Sequence, residues 1–182
     1  MPKAVFLDRD GTLIKDVHYL KDPQDIKIIE GVGEALRLIK NAGYLLFMHT
    51  NQSGIARGYY DWEDVHACNQ RMLEMLNLKT DFWDGICIAP ESPDEKEFEY
   101  RKPSAKYESE MILKYSLKTS SSWMVGDKWI DAETGLRAKI NSALVKTGKK
   151  IEPKTEDFAQ DKNVPICEDL LSFTHTYLLK SE

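Results

Sequence analysis

Short apolar runs alternate with amphipathic stretches from one end of the chain to the other. The first run, Ala4-Val5-Phe6-Leu7, reads as a buried strand that stops at Asp8. Residues 12–27 show no period and leave room for a hairpin flap. Apolar side chains then return at Val32, Ala35, Leu36 and Ile39, the spacing of one helical face, with Gly43 as the stop. Residues 44–49 form a second apolar strand, ending at Thr50-Asn51-Gln52-Ser53-Gly54. Asp61 stands where an N-cap belongs, before a helix that places Val65, Cys68, Met72 and Leu76 in register.

The alternation continues. A third strand near residues 85–89 runs into a polar loop rich in proline and acid. A helix is predicted from Pro103 or Ser104, with Tyr107, Met111 and Tyr115 inward. Residues 122–125 form a fourth strand that ends at Gly126-Asp127, followed by a short helix and a fifth strand over 142–145. A charged linker over 149–162 then leads to a short strand within 164–167 and a closing helix from about Asp169. Alternating strands and helices, with nearly continuous apolar strands, predict an α/β fold whose parallel sheet is covered on both faces.

Composition narrows the setting. The 182 residues fit one domain spanning 1–182. A formal charge of −5 without a long basic block disfavours nucleic acid and anionic membranes as partners. No apolar stretch approaches the ~20 residues of a membrane span, and the N-terminus lacks the character of a signal peptide. Cys68, Cys87 and Cys167 are odd in number and far apart. They read as reduced, buried thiols of a cytoplasmic protein.

Candidate chemistry collects at strand ends, where open α/β sheets bind their ligands. Asp8-Arg9-Asp10-Gly11-Thr12 follows the first strand and delivers two carboxylates into a glycine turn. Acids so placed can divide labour, one attacking or binding metal while the other moves protons. A calcium loop is excluded, because its sixth and twelfth places, counted from Asp8, hold Leu13 and Tyr19. Thr50 and Asn51 follow the second strand, Arg101 and Lys102 close the loop after the third and immediately precede a helix, and Gly126-Asp127 follow the fourth. Taken singly, each has an ordinary reading: Thr50 a turn hydroxyl, Lys102 a surface amine, Asp127 a helix cap. Together they supply acid, hydroxyl, base and acid to one rim.

Other motifs fail on inspection. Gly31-Val32-Gly33 lacks the third glycine of a dinucleotide fingerprint, since Leu36 stands there, and Gly148-Lys149 lacks a P-loop's first glycine, since Ala143 does. His18, His49, His66 and His175 have no metal-ligand spacing and read as structural or surface residues. His18 is set apart by its place in the flap.

Asp8-Arg9-Asp10-Gly11-Thr12, then Thr50, Lys102, and Gly126-Asp127-Lys128 with Asp131, resemble in order the four motifs of the haloacid dehalogenase superfamily of phosphotransferases. The resemblance implies a Rossmannoid, doubly wound, mainly parallel sheet with a hairpin flap. It further implies Asp8 as nucleophile, Asp10 as general acid and base, Thr50 and Lys102 as stabilisers of the phosphoryl group, and Mg²⁺ held by Asp8, Asp10 and Asp127 with Asp131 in support. An aspartate at position 10 marks a phosphatase. The intervals from Asp8 to Thr50 and from Thr50 to Lys102 are filled by the elements already assigned, so no cap domain is expected.

Within that superfamily the chain is similar to the heptose bisphosphate phosphatases. The similarity lies in the flap Asp16-Val17-His18-Tyr19, in the run from Thr50 to Gly58, and in Arg101-Lys102-Pro103. It implies substrate contacts from Asp16, His18, Tyr19, Asn51, Gln52, Ser53, Arg57, Arg101 and Lys128, with Arg101 on a far phosphate. A sugar phosphate is the expected partner and a monomer the expected state. Alternatives are a histidinol-phosphate or other small phosphomonoester phosphatase, a polynucleotide 3′-phosphatase, and a non-catalytic phosphate-binding protein. Many such phosphatases carry a zinc knuckle of three cysteines and a histidine before Arg-Lys-Pro. Residues 89–100 here contain neither residue type, so zinc is not expected and Phe98 and Tyr100 should hold the loop by packing.

Overall fold

The structure, a computed structural model, describes residues 1–95, 97–149 and 152–179. Six strands are found among them: β1 (Lys3–Leu7), β2 (Tyr44–Asn51), β3 (Gly85–Ala89), β4 (Trp123–Gly126), β5 (Asn141–Val145) and β6 (Ile166–Cys167). They form one sheet in the order β3-β2-β1-β4-β5-β6, and every neighbouring pair is parallel. The helices are α1 (Val32–Asn41), α2 (Trp62–Met75), α3 (Lys106–Tyr115), α4 (Trp129–Arg137), α5 (Pro153–Lys162) and α6 (Leu170–Phe173).

Alternation along the strands divides the core into layers. Val5 and Leu7 of β1 pack in one cluster with Leu36 of α1, Met72 of α2 and Phe173 of α6. Ala4 and Phe6 belong to the opposite face, with Phe47 and Tyr107. There Phe6 stacks on Phe47 at 4.8 Å and meets Tyr107 edge-on. A third cluster joins Ala132, Leu144, Ala159 and Val164 across β5, α4 and α5. Burying each large apolar side chain contributes roughly 1.5–3 kcal/mol, so β1 is anchored from both sides and the carboxyl that follows it has a fixed origin.

The expected doubly wound α/β architecture is present, without a cap domain among the described residues. The flap between β1 and α1 has only a short pairing of its arms. Ile14 forms an isolated antiparallel bridge to Ile28, and Lys15 N donates to the Lys27 carbonyl at 2.9 Å.

Several boundaries move. β2 extends through Thr50 and Asn51, which pair with Ile88 and Ala89, because the neighbouring strand continues alongside. α3 begins at Lys106, later than Pro103 or Ser104. The chain first turns, Ser104 N donating to the Arg101 carbonyl at 2.9 Å, so Arg101 and Lys102 sit in a turn and not at a helix start. The stretch expected as a charged linker folds from Pro153 into α5. Only Thr155 and Ala159 are fully buried there, too sparse a pattern for a helical period to show. Lys150 and Ile151 of that stretch lie outside the described residues, as do Lys96 of the loop before Arg101 and positions 180–182 of the expected domain. Asp169 caps the closing helix as expected, its carboxyl accepting from Ser172 N at 2.7 Å. The three thiols are free, but Cys167 is only half-buried, since β6 lies at the sheet edge.

Candidate active site

Strand order reverses between β1 and β4, and the crevice beyond their carboxyl ends is where this topology accepts a ligand. Asp8 emerges from β1 still paired to β4, its N–H donating to the Val125 carbonyl at 3.0 Å. Asp127 follows β4. The two carboxyls meet because glycines leave room. Gly11 has a φ of +89°, and a Cβ there would stand 2.5 Å from Asp127 Oδ2. A Cβ on Gly148 would strike the same carboxyl, and one on Gly126 would strike Asp131.

One carboxylate oxygen each from Asp8, Asp127 and Asp131 fall within 4.8 Å of one another, all three residues buried. Between them lies the ammonium of Lys102, 2.9 Å from Asp8 Oδ1 and 2.6 Å from Asp131 Oδ1, on a residue only 2% exposed. Asn51 fixes the backbone that carries it. Asn51 Oδ1 accepts from Lys102 N at 2.9 Å and its amide donates to the Lys102 carbonyl at 3.2 Å. None of the ordinary single-residue readings survives: Thr50 lies within a strand, Lys102 is buried, and α4 is capped through Asp131, whose Oδ2 accepts from Lys128 N at 2.9 Å.

Asp10 has a different environment. Its Oδ2 accepts from Arg9 Nε at 3.0 Å, from Gln52 Nε2 at 2.9 Å and from Thr50 Oγ1 at 3.4 Å. Tyr60 in turn donates to Gln52 Oε1 at 2.7 Å, and Asn69 of α2 accepts from Arg9 Nη1 at 3.0 Å. The carboxyl is therefore turned toward Arg9 and Gln52, beside a cavity of about 220 Å³. Asp16, His18, Tyr19, Gln52, Ser53 and Lys128 border that cavity, as does Asn51. Lys128 and Lys149 approach Asp16 at 3.4 and 3.5 Å and tie the flap to the rim. Arg57 and Arg101 stand outside the cavity wall. Arg57 donates to Tyr19 Oη at 3.0 Å, and Arg101 Nη1 donates to the Glu91 carbonyl at 2.9 Å.

Charges in the cluster are strongly coupled. Burial disfavours ionisation of Asp8, but Lys102 and then Lys128 outweigh it and hold this carboxyl below its ordinary value. Burial likewise works against the Lys102 charge, yet Asp131 and Asp8 keep its proton bound well above the ordinary lysine range. Asp127 is pushed up to about 8, by burial first and then by its acidic neighbours against the opposing pull of Lys128. Its Oδ1 is buried without a hydrogen bond, with only the Lys128 ammonium near it at 3.4 Å. An underbonded buried carboxyl beside two further carboxyls is a set of hard oxygen donors. It fits a small divalent cation, whose binding would displace the Asp127 proton.

Residues that the motifs alone did not single out complete the site. Arg9, Asn69 and Tyr60 hold Asp10 and Gln52, and Thr147 Oγ1 donates to the Gly11 carbonyl at 2.7 Å. Only Arg9 had a visible signal, its place between the two aspartates. Lys149 was set aside with the failed P-loop motif and reappears as a partner of Asp16. Of the two side chains expected to hold the loop, Tyr100 packs against the Phe6–Phe47–Tyr107 cluster but Phe98 is exposed, and Glu91 supplies the further hold, its Oε1 accepting from Glu99 N at 3.0 Å and Tyr100 N at 2.8 Å.

A Rossmann-like sheet with an Asp-x-Asp turn, a buried lysine and a second acid pair at its switch point defines a hydrolase of the haloacid dehalogenase class. Residues 99–173 match the HAD-hydrolase-like family model. The D-glycero-beta-D-manno-heptose-1,7-bisphosphate 7-phosphatase of Haemophilus ducreyi is 40% identical over 168 residues, covering 85% of this chain and 88% of that protein. The enzyme of the same name from Pasteurella multocida is 40% identical over 169 residues, covering 90% of each. Among solved structures, the D,D-heptose 1,7-bisphosphate phosphatase from B. bronchiseptica, complexed with magnesium and phosphate, has a TM-score of 0.84 at 27% identity. It covers 98% of this chain and 99% of that one. The chain belongs to the heptose-1,7-bisphosphate 7-phosphatase family of the haloacid dehalogenase superfamily and is a phosphoric monoester hydrolase. Among the described residues no helix is long and apolar enough to cross a membrane.

Proposed function

We propose that this chain removes the 7-phosphate of D-glycero-D-manno-heptose 1,7-bisphosphate through a phosphoenzyme on Asp8. The observation that carries the mechanism is the contrast between the two acids of one turn. Asp8 is gripped by the Lys102 ammonium at 2.9 Å, whereas Asp10 is held aside by Arg9 and Gln52 at the cavity wall. Asp8, ionised in this setting, attacks phosphorus. The bond to the sugar oxygen breaks and Asp10 gives that oxygen its proton. Asp10 then takes a proton from water as it attacks the aspartyl phosphate, releasing phosphate and restoring Asp8. Thr50 and Lys102 donate to the non-bridging oxygens. When bound, Mg²⁺ supplies positive charge between the anionic nucleophile and the anionic substrate; Asp8, Asp127 and the Asp10 carbonyl would hold it, with Asp131 in support.

The names of relatives at 40% identity support the sugar substrate. Asp16, His18, Tyr19, Asn51, Gln52, Ser53 and Lys128 receive the sugar and near phosphate, while Arg57 and Arg101 face the far one. The cation is Mg²⁺ and no zinc is held, since the donors are oxygens and the loop before Arg101 has no cysteine or histidine. In this reading the chain is a single cytoplasmic domain acting as a monomer on a small molecule, and the charge of −5 argues against nucleic acid as its partner.

The test is hydrolysis across heptose bisphosphate, heptose monophosphate, histidinol phosphate and a 3′-phosphorylated oligonucleotide, with wild type and Asp8→Asn. The bisphosphate should be preferred and the folded variant inert, with a beryllium fluoride adduct on Asp8 in wild type only. A folded Asp8→Asn protein with near wild-type kcat would end the covalent mechanism.

A further inference from the structure

His49 is fully buried behind Thr50, on the face of the sheet opposite α1. Its Nδ1 lies 2.7 Å from Glu108 Oε1 and its Nε2 lies 2.8 Å from the Tyr100 carbonyl. Both ring nitrogens face acceptors, so both must carry protons: the side chain is an imidazolium sealed against a carboxylate. A buried ion pair is costly to desolvate and gives little stability over an apolar pair of the same shape. Here it has a geometric consequence. Nε2–H fixes the carbonyl two residues before Lys102, while Glu108, on the first turn of α3, fixes the ring.

A second contact set, from the loop after β3, grips the same segment. Glu91 Oε1 accepts from the backbone of Glu99 and Tyr100, and the Glu91 carbonyl accepts from Arg101 Nη1. Hydrogen bonds from those amides hold the Glu91 carboxyl below its ordinary value, against the effect of partial burial.

We propose that His49, Glu108 and Glu91 are positioning residues, a clamp that holds the Tyr100–Arg101–Lys102 segment so that the Lys102 ammonium reaches Asp8. None of the three touches the carboxylate cluster. They act on the backbone of the segment that carries the lysine, in a site where roughly 1 Å of misplacement costs about a hundredfold in rate. The clamp rests on the reading of Lys102 as the cation that stabilises the transferring phosphoryl group.

The test uses the full chain with Glu108→Ala, Glu91→Ala, Glu91→Gln and Lys102→Ala. Each is measured for kcat and KM on a small phosphomonoester and for inhibition by orthovanadate, with circular dichroism to establish folding. Glu108→Ala and Glu91→Ala should lower kcat roughly ten- to hundredfold and weaken vanadate in step, since both depend on Lys102. Glu91→Gln, whose amide oxygen still accepts the two N–H groups, should retain most of both. Glu91 lies on a loop outside the apolar clusters, so its variants keep the test open where Glu108→Ala does not fold. Folded Glu91→Ala or Glu108→Ala proteins with wild-type kcat and vanadate affinity, beside an inactive Lys102→Ala, would overturn the clamp alone. A fully active Lys102→Ala would overturn the reading of Lys102 and the clamp with it.

Discussion

Asp8 and Asp10 leave the same strand end, yet their carboxyls meet opposite surroundings. Asp8 turns into a buried cluster with Lys102 and is held ionised, as the proposed nucleophilic role requires. Asp10 turns toward Arg9, Gln52 and Thr50, each placed by another element. Gly11 makes both possible. It takes a positive φ, and the absence of a side chain admits Asp127. Gly11→Ala should therefore cost more than about 1 kcal/mol of stability, through strain at positive φ and displacement of Asp127. Denaturant titration would measure the first effect. Calorimetric Mg²⁺ titration should show the second as weakened binding, and an unchanged affinity would mean that the Asp127 position is not what Gly11 protects.

At the scale of elements, β2 and α3 are joined by the His49–Glu108 pair as well as by apolar packing. Burial lowers the proton affinity of His49, but Glu108 outweighs it and raises the pKa to about 10. The folded value lies above that of an unfolded histidine, near 6.5. The pair's contribution is thus complete below about pH 6.5 and is lost as pH rises toward 10. Glu108→Gln should destabilise on the order of 3 kcal/mol at neutral pH, and the gap to wild type should narrow progressively between pH 7 and pH 10. Chemical denaturation at a series of pH values measures it; a constant gap would show that His49 is not charged in the fold.

At the scale of the whole molecule the site is open: among the described residues it is screened by a flap and by the loop before Arg101 and not by a cap domain. Selectivity must then come from the rim. If Arg101 grips a second phosphate, Arg101→Ala should lower kcat/KM for the bisphosphate by roughly tenfold to a hundredfold, as a charge-assisted contact of about 1.5–3 kcal/mol implies. A small monoester should be affected less, and an equal loss on both would reduce the enzyme to a general phosphatase. Metal dependence belongs to the same scale, because the carboxylate cluster joins the ends of β1 and β4. A chelator should abolish turnover and Mg²⁺ restore it, and elemental analysis should find no stoichiometric zinc. One tightly held zinc per chain would contradict the oxygen-only reading.

Local pattern determined much of this. The apolar runs marked the strands because a sheet covered on both faces needs them, and Asp8, Thr50, Lys102 and Asp127 were legible because each closes such a run or its following loop. The surface helix α5 was not, since only two of its residues are fully buried and most of its length leaves no period. Tertiary structure alone decided what those residues face. Lys102 reads as a surface amine until the sheet's reversal brings Asp8 and Asp131 to it. His49, Glu91 and Glu108 are far apart in sequence and carry no motif. Their meaning is a set of distances across β2, α3 and the loop before Arg101, and distances between remote segments are set by packing.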